Sequence, residues 1–462
     1  MIYSFRRALA AMAVVLAAAG LIAQAQKPVK PASQTPAPPP TRLLITGARI
    51  LDVEAGKYLA PAAILIDQGR VIRVEAKPPA DLGPDTTVLA LKDATILPGL
   101  VDAHAWAAPT NDLEADYFYL LGLANGVTSY RVIDARTTWA VAQRARAASG
   151  QTDMPVLATS GRGIDQGASP GRWLFDAANA SLAAAETSRQ AAADVDWIAG
   201  YGDLPIDAYK AMATALKGRR TRLSGRPGAA SMADLTMAGV STIEGLAFPV
   251  QRRRNGTDMP WPAPLPSKER AALIAQLVKA RVTLVPMLAS ARAKAFPEEA
   301  LKDESVQWLP EARRKILRDT LSAIDPATLA GHKQQWAAQA AFVAAYVRAG
   351  GKVATGTGFE SGSYPLPGIG LLREIAALAD AGLKPVDIIR AVTLNGARLV
   401  GAADAAYGIT PGLAANLIIV QGDPLAAPAD LARITHVIRA GRVLDPPDLL
   451  ARGRAATASR PK

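Results

Sequence analysis

Cysteine is absent from all 462 residues. That absence excludes disulfides, a lipid-anchor cysteine, a thiolate nucleophile and thiolate metal ligands. A chain this long can bury a core large enough to fold without such staples. Histidine is nearly as scarce, and His104, His332 and His436 are the whole supply. Concentrated positive charge is also missing. The formal excess of +12 is spread thinly, with Arg252-Arg253-Arg254 and a basic tail after Arg452 as its only clusters. A nucleic-acid site needs a dense patch, so none is expected and the charge is read as a solvated basic surface. Nor is there a long apolar run. Ala8 to Ala23, interrupted by Gly20, falls short of the ~20 residues a bilayer span needs. Preceded by Arg6 and Arg7 and followed by Ala23-Gln24-Ala25, it reads as a cleavable export signal over residues 1–25. No Phe-Leu-Lys follows the arginine pair, so the twin-arginine route has little support. The expected location is periplasmic or secreted, with membrane contact only through the signal.

Half of the residues are hydrophobic and 20% are charged, a globular balance. Residues 26–40 (QKPVKPASQTPAPPP) are proline-rich and read as an extended linker. From Arg42 the pattern is β: LLITGARILD, AAILIDQGRVIRVE and TTVLALKDATILPG are β-branched runs parted by Gly and Asp turns. Between 97 and 404 strand-like runs alternate with helical stretches. The helices are expected at Leu182 to Ala193, Pro205 to Lys217 and Gly331 to Ala349, and strands at VTLVP (282–286) and KVATGT (352–357). Repeated β-then-α units on this scale predict an α/β fold, a parallel (β/α)8 TIM barrel. NLIIVQGD and THVIRAGRVLD then return to β, so residues 41–96 and 405–450 are expected to form one composite β-sandwich. Residues 451–462 read as a disordered tail.

Several of these segments, in order, resemble the metal-dependent amidohydrolase superfamily, in its imidazolonepropionase-like and prolidase-like branch. IDQGRVIRV (66–74) is similar to the opening hairpin, PGLVDAH (98–104) to the first barrel strand and NGVTSYRV (125–132) to the second. AGVSTIEG (238–245) resembles the sixth strand and VATGTG (353–358) the eighth. VDIIRAVTLNGARLVG (386–401) and YGITPGLAANLIIVQGDPL (407–425) resemble the closing helix and the returning sandwich strands. The resemblance implies hydrolysis of C–N bonds in peptides or cyclic amides. Its metal ligands are two His in an H-x-H after strand 1, a carboxylated Lys on strand 4, a His on strand 5, a His on strand 6 and an Asp on strand 8. The metals lower the pKa of a bound water and polarise the scissile carbonyl.

Set against that pattern, His104 matches the first His, and the other positions fall on Trp106, Ala199, Ser224, Gly245 and Gly358. The histidine count makes the same point without an alignment, because no histidine lies between 104 and 332 to serve strands 5 and 6. One imidazole is a poor zinc site. Asp102 and Glu360 could at most help hold a single cation. No metal, cofactor or catalytic residue is therefore expected. Residues 104 and 106 should point the same way along their strand, so Trp106 either plugs the emptied volume or lines a cavity. The candidate binding residues are His104, Trp106, Arg131, Tyr201, Ser224, Arg226, Glu244 and Glu360.

GASPG (167–171) also satisfies the G-x-S-x-G elbow pattern. The residue after the serine must donate its backbone N–H to an oxyanion, and here it is Pro170, which has none. The segment reads as a loop. Three functions remain in view: a non-catalytic binding or partner subunit, a hydrolase of altered mechanism using one cation or none, and a periplasmic small-molecule or peptide binder. The corresponding partners are an active amidohydrolase paralogue or a second copy of this chain, and a small amide or peptide ligand.

Overall fold

The computed structural model describes residues 42–60, 63–83, 85–105, 112–167, 174–246, 267–308, 311–358, 367–401 and 408–458. The expected signal and linker, Trp106, Glu360, most of GASPG and the Arg252 cluster lie outside them.

The first strands, β1 (Leu43–Thr46), β2 (Arg49–Asp52), β3 (Lys57–Leu59), β4 (Ala63–Asp67), β5 (Arg70–Glu75), β6 (Thr87–Ala90) and β7 (Ala94–Pro98), divide between two sheets. One has the order β5-β4-β1-β6. The other runs β20-β19-β18-β7-β2-β3, and its β18 (Leu417–Gln421), β19 (Ile434–Arg439) and β20 (Arg442–Leu444) come from the far end of the chain. Strand alternation explains the join. Ile64, Ile66, Ile96, Leu417, Ile419 and Ile438 meet in one buried cluster between the sheets, while Leu97, Ile418, Val420 and Val437 face the larger core. A strand such as LIIVQ is apolar throughout because both of its faces are covered. Two tight hairpins fasten the halves. Gln68-Gly69 and Ala440-Gly441 all have positive φ, as a two-residue type I′ turn requires. A Cβ on Gly441 would lie 2.9 Å from Gly69 Cα. The composite sandwich is thus built as the sequence suggested.

Eight strands then form the barrel: β8 (Leu100–Ala105), β9 (Val127–Val132), β10 (Val156–Thr159), β13 (Trp197–Gly200), β14 (Arg222–Gly225), β15 (Thr242–Glu244), β16 (Thr283–Val285) and β17 (Lys352–Val353). Between β10 and β13 lies a parallel pair, β11 (Gly163–Asp165) and β12 (Leu174–Asp176). All barrel pairings are parallel. The ring closes at one seam through the Ser160–Trp197 bridge. At the other, Ala103 N donates to Thr355 O (2.8 Å) and Gly358 N to His104 O (3.0 Å). The expected strand over 352–357 therefore exists as this seam, although its regular ladder ends at Val353.

The expected helices appear as Ala180–Ala192, Ile206–Ala215 and Pro326–Arg348. The last starts a turn and a half earlier than apolar periodicity suggested. Asp325 caps it, accepting from Ala327 N and Thr328 N, and Pro326 occupies the first position, where no N–H is needed. A larger correction concerns the chain end. Residues 451–458 of the tail expected to be disordered continue the helix Pro446–Ala458, and 459–462 lie outside the described residues. Leu449 is fully buried, Arg452 pairs with Asp448 and Asp153, and the helix lies against Asp112–Ala124. Tertiary burial, invisible in local composition, orders those residues.

Candidate functional site

Register fixes which residues turn into the barrel. Trp197 pairs with Arg222, Ala199 with Ser224, Ser224 with Thr242 and Glu244 with Val285, so these side chains share the inner face. The result is a column of contacts rather than the usual layers of aliphatic side chains. The Arg222 guanidinium stacks on Trp197 at 4.0 Å, and Arg131 stacks on the same indole at 4.4 Å. Arg131 Nη2 donates to Glu244 Oε1 (2.6 Å), and its Nε donates to Ala103 O (2.5 Å). The other Glu244 oxygen, Oε2, lies 2.8 Å from His104 Nδ1. Thr242 Oγ1 also donates to Glu244 Oε1, at 2.5 Å.

Arg131, Glu244 and His104 are all buried. Burial alone would lift the Glu244 carboxyl. The Arg131 charge, together with the His104 and Thr242 hydrogen bonds, outweighs that and brings it down to about 2. An ionised Glu244 requires His104 to present Nδ1–H, which leaves Nε2 without a partner among the described residues. Beside this group, Asp102 accepts from Thr357 Oγ1 (2.7 Å), Thr357 N (3.1 Å) and His104 N (3.2 Å), tying the end of β17 to β8. Burial pushes Asp102 above the usual carboxylate range against the pull of those bonds.

Met287 holds the ground between the strand-6 and strand-8 ligand positions. It follows β16 with φ +54°, a left-handed conformation rare for its type, and is buried. A Cβ on Gly245 would lie 3.2 Å from Met287 Cε, and one on Gly358 would lie 2.0 Å from Met287 Sδ. Gly245 and Gly358 themselves have φ of +73° and +49°. Gly358 cannot carry a side chain while Met287 stays where it is, whereas at Gly245 the Met287 methyl would have to give by a few tenths of an ångström. Glu374, from the helix Ile369–Asp380, fixes that place from behind. Its fully buried carboxylate accepts from Leu288 N (2.9 Å) and Ala289 N (2.7 Å), the first residues of the helix after Met287. Burial raises Glu374 to about 7 despite those two bonds, and the charge of Asp102 adds to the rise.

The sequence-derived candidates therefore separate. His104, Arg131 and Glu244 come together in the column. Tyr201 and Arg226 form a second group, with the Arg226 guanidinium 5.6 Å above the Tyr201 ring. The Tyr201 ring packs with Ile133, Leu174 and Ala199, and its hydroxyl is buried without a hydrogen-bond partner. Ser224 belongs to neither group, being fully buried and donating to Ile198 O at 3.2 Å. Met287 and Glu374 were missed. The only trace of Met287 in the sequence is a large residue ending strand 7 while glycines stand at the strand-6 and strand-8 positions. Glu374 left no trace, since a carboxylate in an amphipathic helix reads as surface. Among the described residues no group of three or more His, Asp or Glu side chains could hold a metal ion.

Residues 278–444 match the family described as Amidohydrolase family. No curated protein sequence matches the chain. Solved structures do. A prolidase-like protein from Bifidobacterium longum superposes with a TM-score of 0.71 at 18% identity, covering 90% of this chain and 100% of that one. Bottromycin amidohydrolase gives 0.70 at 20% identity, covering 90% of each chain. A Xaa-Pro dipeptidase with methionine bound in its active site gives 0.65 at 18%, covering 87% of this chain and all of that one. At these identities the likeness establishes the fold alone.

Proposed function

From the premise that this chain carries an amidohydrolase-family domain and has the fold of prolidase-like amidohydrolases, we propose that it works without a two-metal centre. It serves as a non-catalytic binding or partner subunit for small amides or peptides. The observation that carries this reading is Met287, whose thioether fills the space that a side chain at Gly358 would need and whose methyl borders Gly245. With Ala199 and Ser224 at two further ligand positions, neither metal would have a set of donors. Family chemistry supplies the ligand class, a C–N-linked carbonyl compound, but fold alone does not supply turnover. The partner that suits such a subunit is an active amidohydrolase paralogue or a second copy of this chain. Export to the periplasm or medium, argued from the leader, belongs to the same proposal.

Metal analysis of the purified, dialysed protein tests it. Well under one zinc per chain is expected, with no rise in Tm on adding zinc. Stoichiometric zinc that survives dialysis would sink the proposal. A second reading, a metal-free hydrolase, is favoured by one observation: Glu244 fixes the His104 imidazole through Nδ1, and Nε2 has no partner among the described residues. There Nε2 would take a proton from water as the oxygen adds to the amide carbon, and return it to the departing nitrogen. Slow dipeptide hydrolysis that persists in EDTA and vanishes in His104→Ala would favour that reading over the first.

A further inference from the structure

The end of the barrel opposite the ligand positions, where β10, β13 and β14 begin, carries a cleft of about 400 Å³ beside the helix Thr137–Ala148. Arg144, Arg220 and Arg439 line it with one carboxylate, Asp196, and Val156 and Leu157 contribute apolar wall. Gly401 forms part of the lining, and a Cβ built on it would meet Arg222 Nη2 at 2.8 Å. A fourth guanidinium therefore stands directly behind the cleft.

Arg222 is the unusual member. Among the described residues its side chain donates to the carbonyl oxygens of Arg398 and Leu399 and stacks on Trp197. The two aspartates nearby, Asp194 and Asp196, are taken by Arg144 and Arg220. Burial, with the nearby Arg131 charge, brings the Arg222 guanidinium down to about 10, against a partial pull from Asp196. A half-buried cation whose nearest carboxylate is shared with another arginine gains when a further anion joins it. Another cleft among the described residues, of about 420 Å³, creates no such demand. Its Arg292, Lys302 and Arg373 stand against an equal number of carboxylates, Glu299, Asp303 and Asp380.

We propose that the cleft at the barrel base binds a small organic anion, a carboxylate or phosphate on an apolar body, with its charge at Gly401 between Arg220 and Arg222. This face lies away from the strand ends where barrel enzymes place catalysis, so the site is an anchoring or regulatory one. The volume is within the range of small-molecule pockets, and the arginine fork suits an oxyanion.

The test is thermal melting of the full chain with phenyl phosphate, benzoate and inorganic phosphate, each against sodium chloride at equal ionic strength to remove general screening. A saturable rise in Tm is expected, with phenyl phosphate or benzoate acting at lower concentration than inorganic phosphate. Arg220→Ala, an exposed substitution, should weaken the apparent affinity at least about tenfold, the loss of one charge-assisted contact. Arg222→Met should abolish the shift. If that variant does not fold, calorimetric titration of Arg220→Ala decides alone. Arg226→Ala, at the opposite end, should leave the response intact. A shift no larger than chloride gives, or one that survives Arg220→Ala, overturns the site. So does a shift lost only in Arg226→Ala, which would place the anion at the mouth. Equal potency of inorganic and phenyl phosphate would overturn the organic body.

Discussion

At the scale of single residues, the contact between Met287 and Gly358 leaves no room for a side chain at position 358 while Met287 holds its place. Gly358→Asp, which puts a carboxylate at that position, drives a Cβ into the Met287 sulfur at a backbone φ of +49°. The expected cost is about 1–3 kcal/mol in urea denaturation, the range for overpacking. Adding Met287→Ala should recover part of it, and additive losses in the double variant would mean the two residues do not compete for space. The two buried glutamates pull stability in opposite directions with pH. Glu244, held at about 2 in the fold, contributes stability above its unfolded value near 4.5 and loses it as pH falls toward 2. Glu374, raised to about 7, favours the fold most below about 4.5, and that contribution is lost as pH rises through 7. The Glu374 term amounts to roughly 3 kcal/mol between those limits. Stability of the wild type should therefore decline from pH 5 to pH 7, and Glu374→Gln should flatten the decline. Parallel wild-type and variant curves across that window would show that Glu374 does not titrate there.

At the scale of elements, the order β20-β19-β18-β7-β2-β3 places the returning strand β18 directly against β7, bonded along its whole length from Leu417–Pro98 to Gln421–Ala94. Removing everything after Ile409 would strip β7 of a neighbour and uncover Ile96 and Leu97. It would also remove the helix Pro446–Ala458 from Asp112–Ala124. The expected product binds a hydrophobic dye and melts without cooperativity. A soluble truncation with a sharp transition would contradict the shared sandwich. Elements were legible where local signals agree. Alternating β-branched residues and the Gln68-Gly69 turn mark the opening hairpin, and Asp325-Pro326 marks a helix start that periodicity placed too late. The C-terminal helix was not legible, because Leu449 and Arg452 gain order from distant partners, Asp153 among them.

At the scale of the whole molecule, an inner column of charge replaces the aliphatic filling usual for such a barrel. The links from Arg222 through Trp197, Arg131 and Glu244 to His104 draw on five strands and hold the two ends of the barrel in one network. Its two ends differ in compensation. Among the described residues Glu244 pairs directly with Arg131, whereas Arg222 at the base has Asp196 only as a nearby charge that Arg144 already holds. That difference in compensation is why the anion proposal falls on the base.

By itself the sequence determined the α/β barrel, the sandwich shared between its ends and the poverty of metal-ligating side chains. Each follows from local pattern or from composition: period-2 runs at both ends, repeated β-then-α units between them, and three histidines in the whole chain. Composition also shows what is missing without knowing any geometry. What occupies the space beside Gly245 and Gly358 was decided only by tertiary structure. Met287, Glu374 and Arg222 lie on different elements, and none stands in a motif. Their roles arise from distances across the barrel: Met287 against Gly358, Glu374 against Leu288, and Arg222 against Trp197 and Gly401. Side-chain volume and uncompensated charge are properties of neighbourhoods, and these neighbourhoods are assembled by residues far apart in the chain.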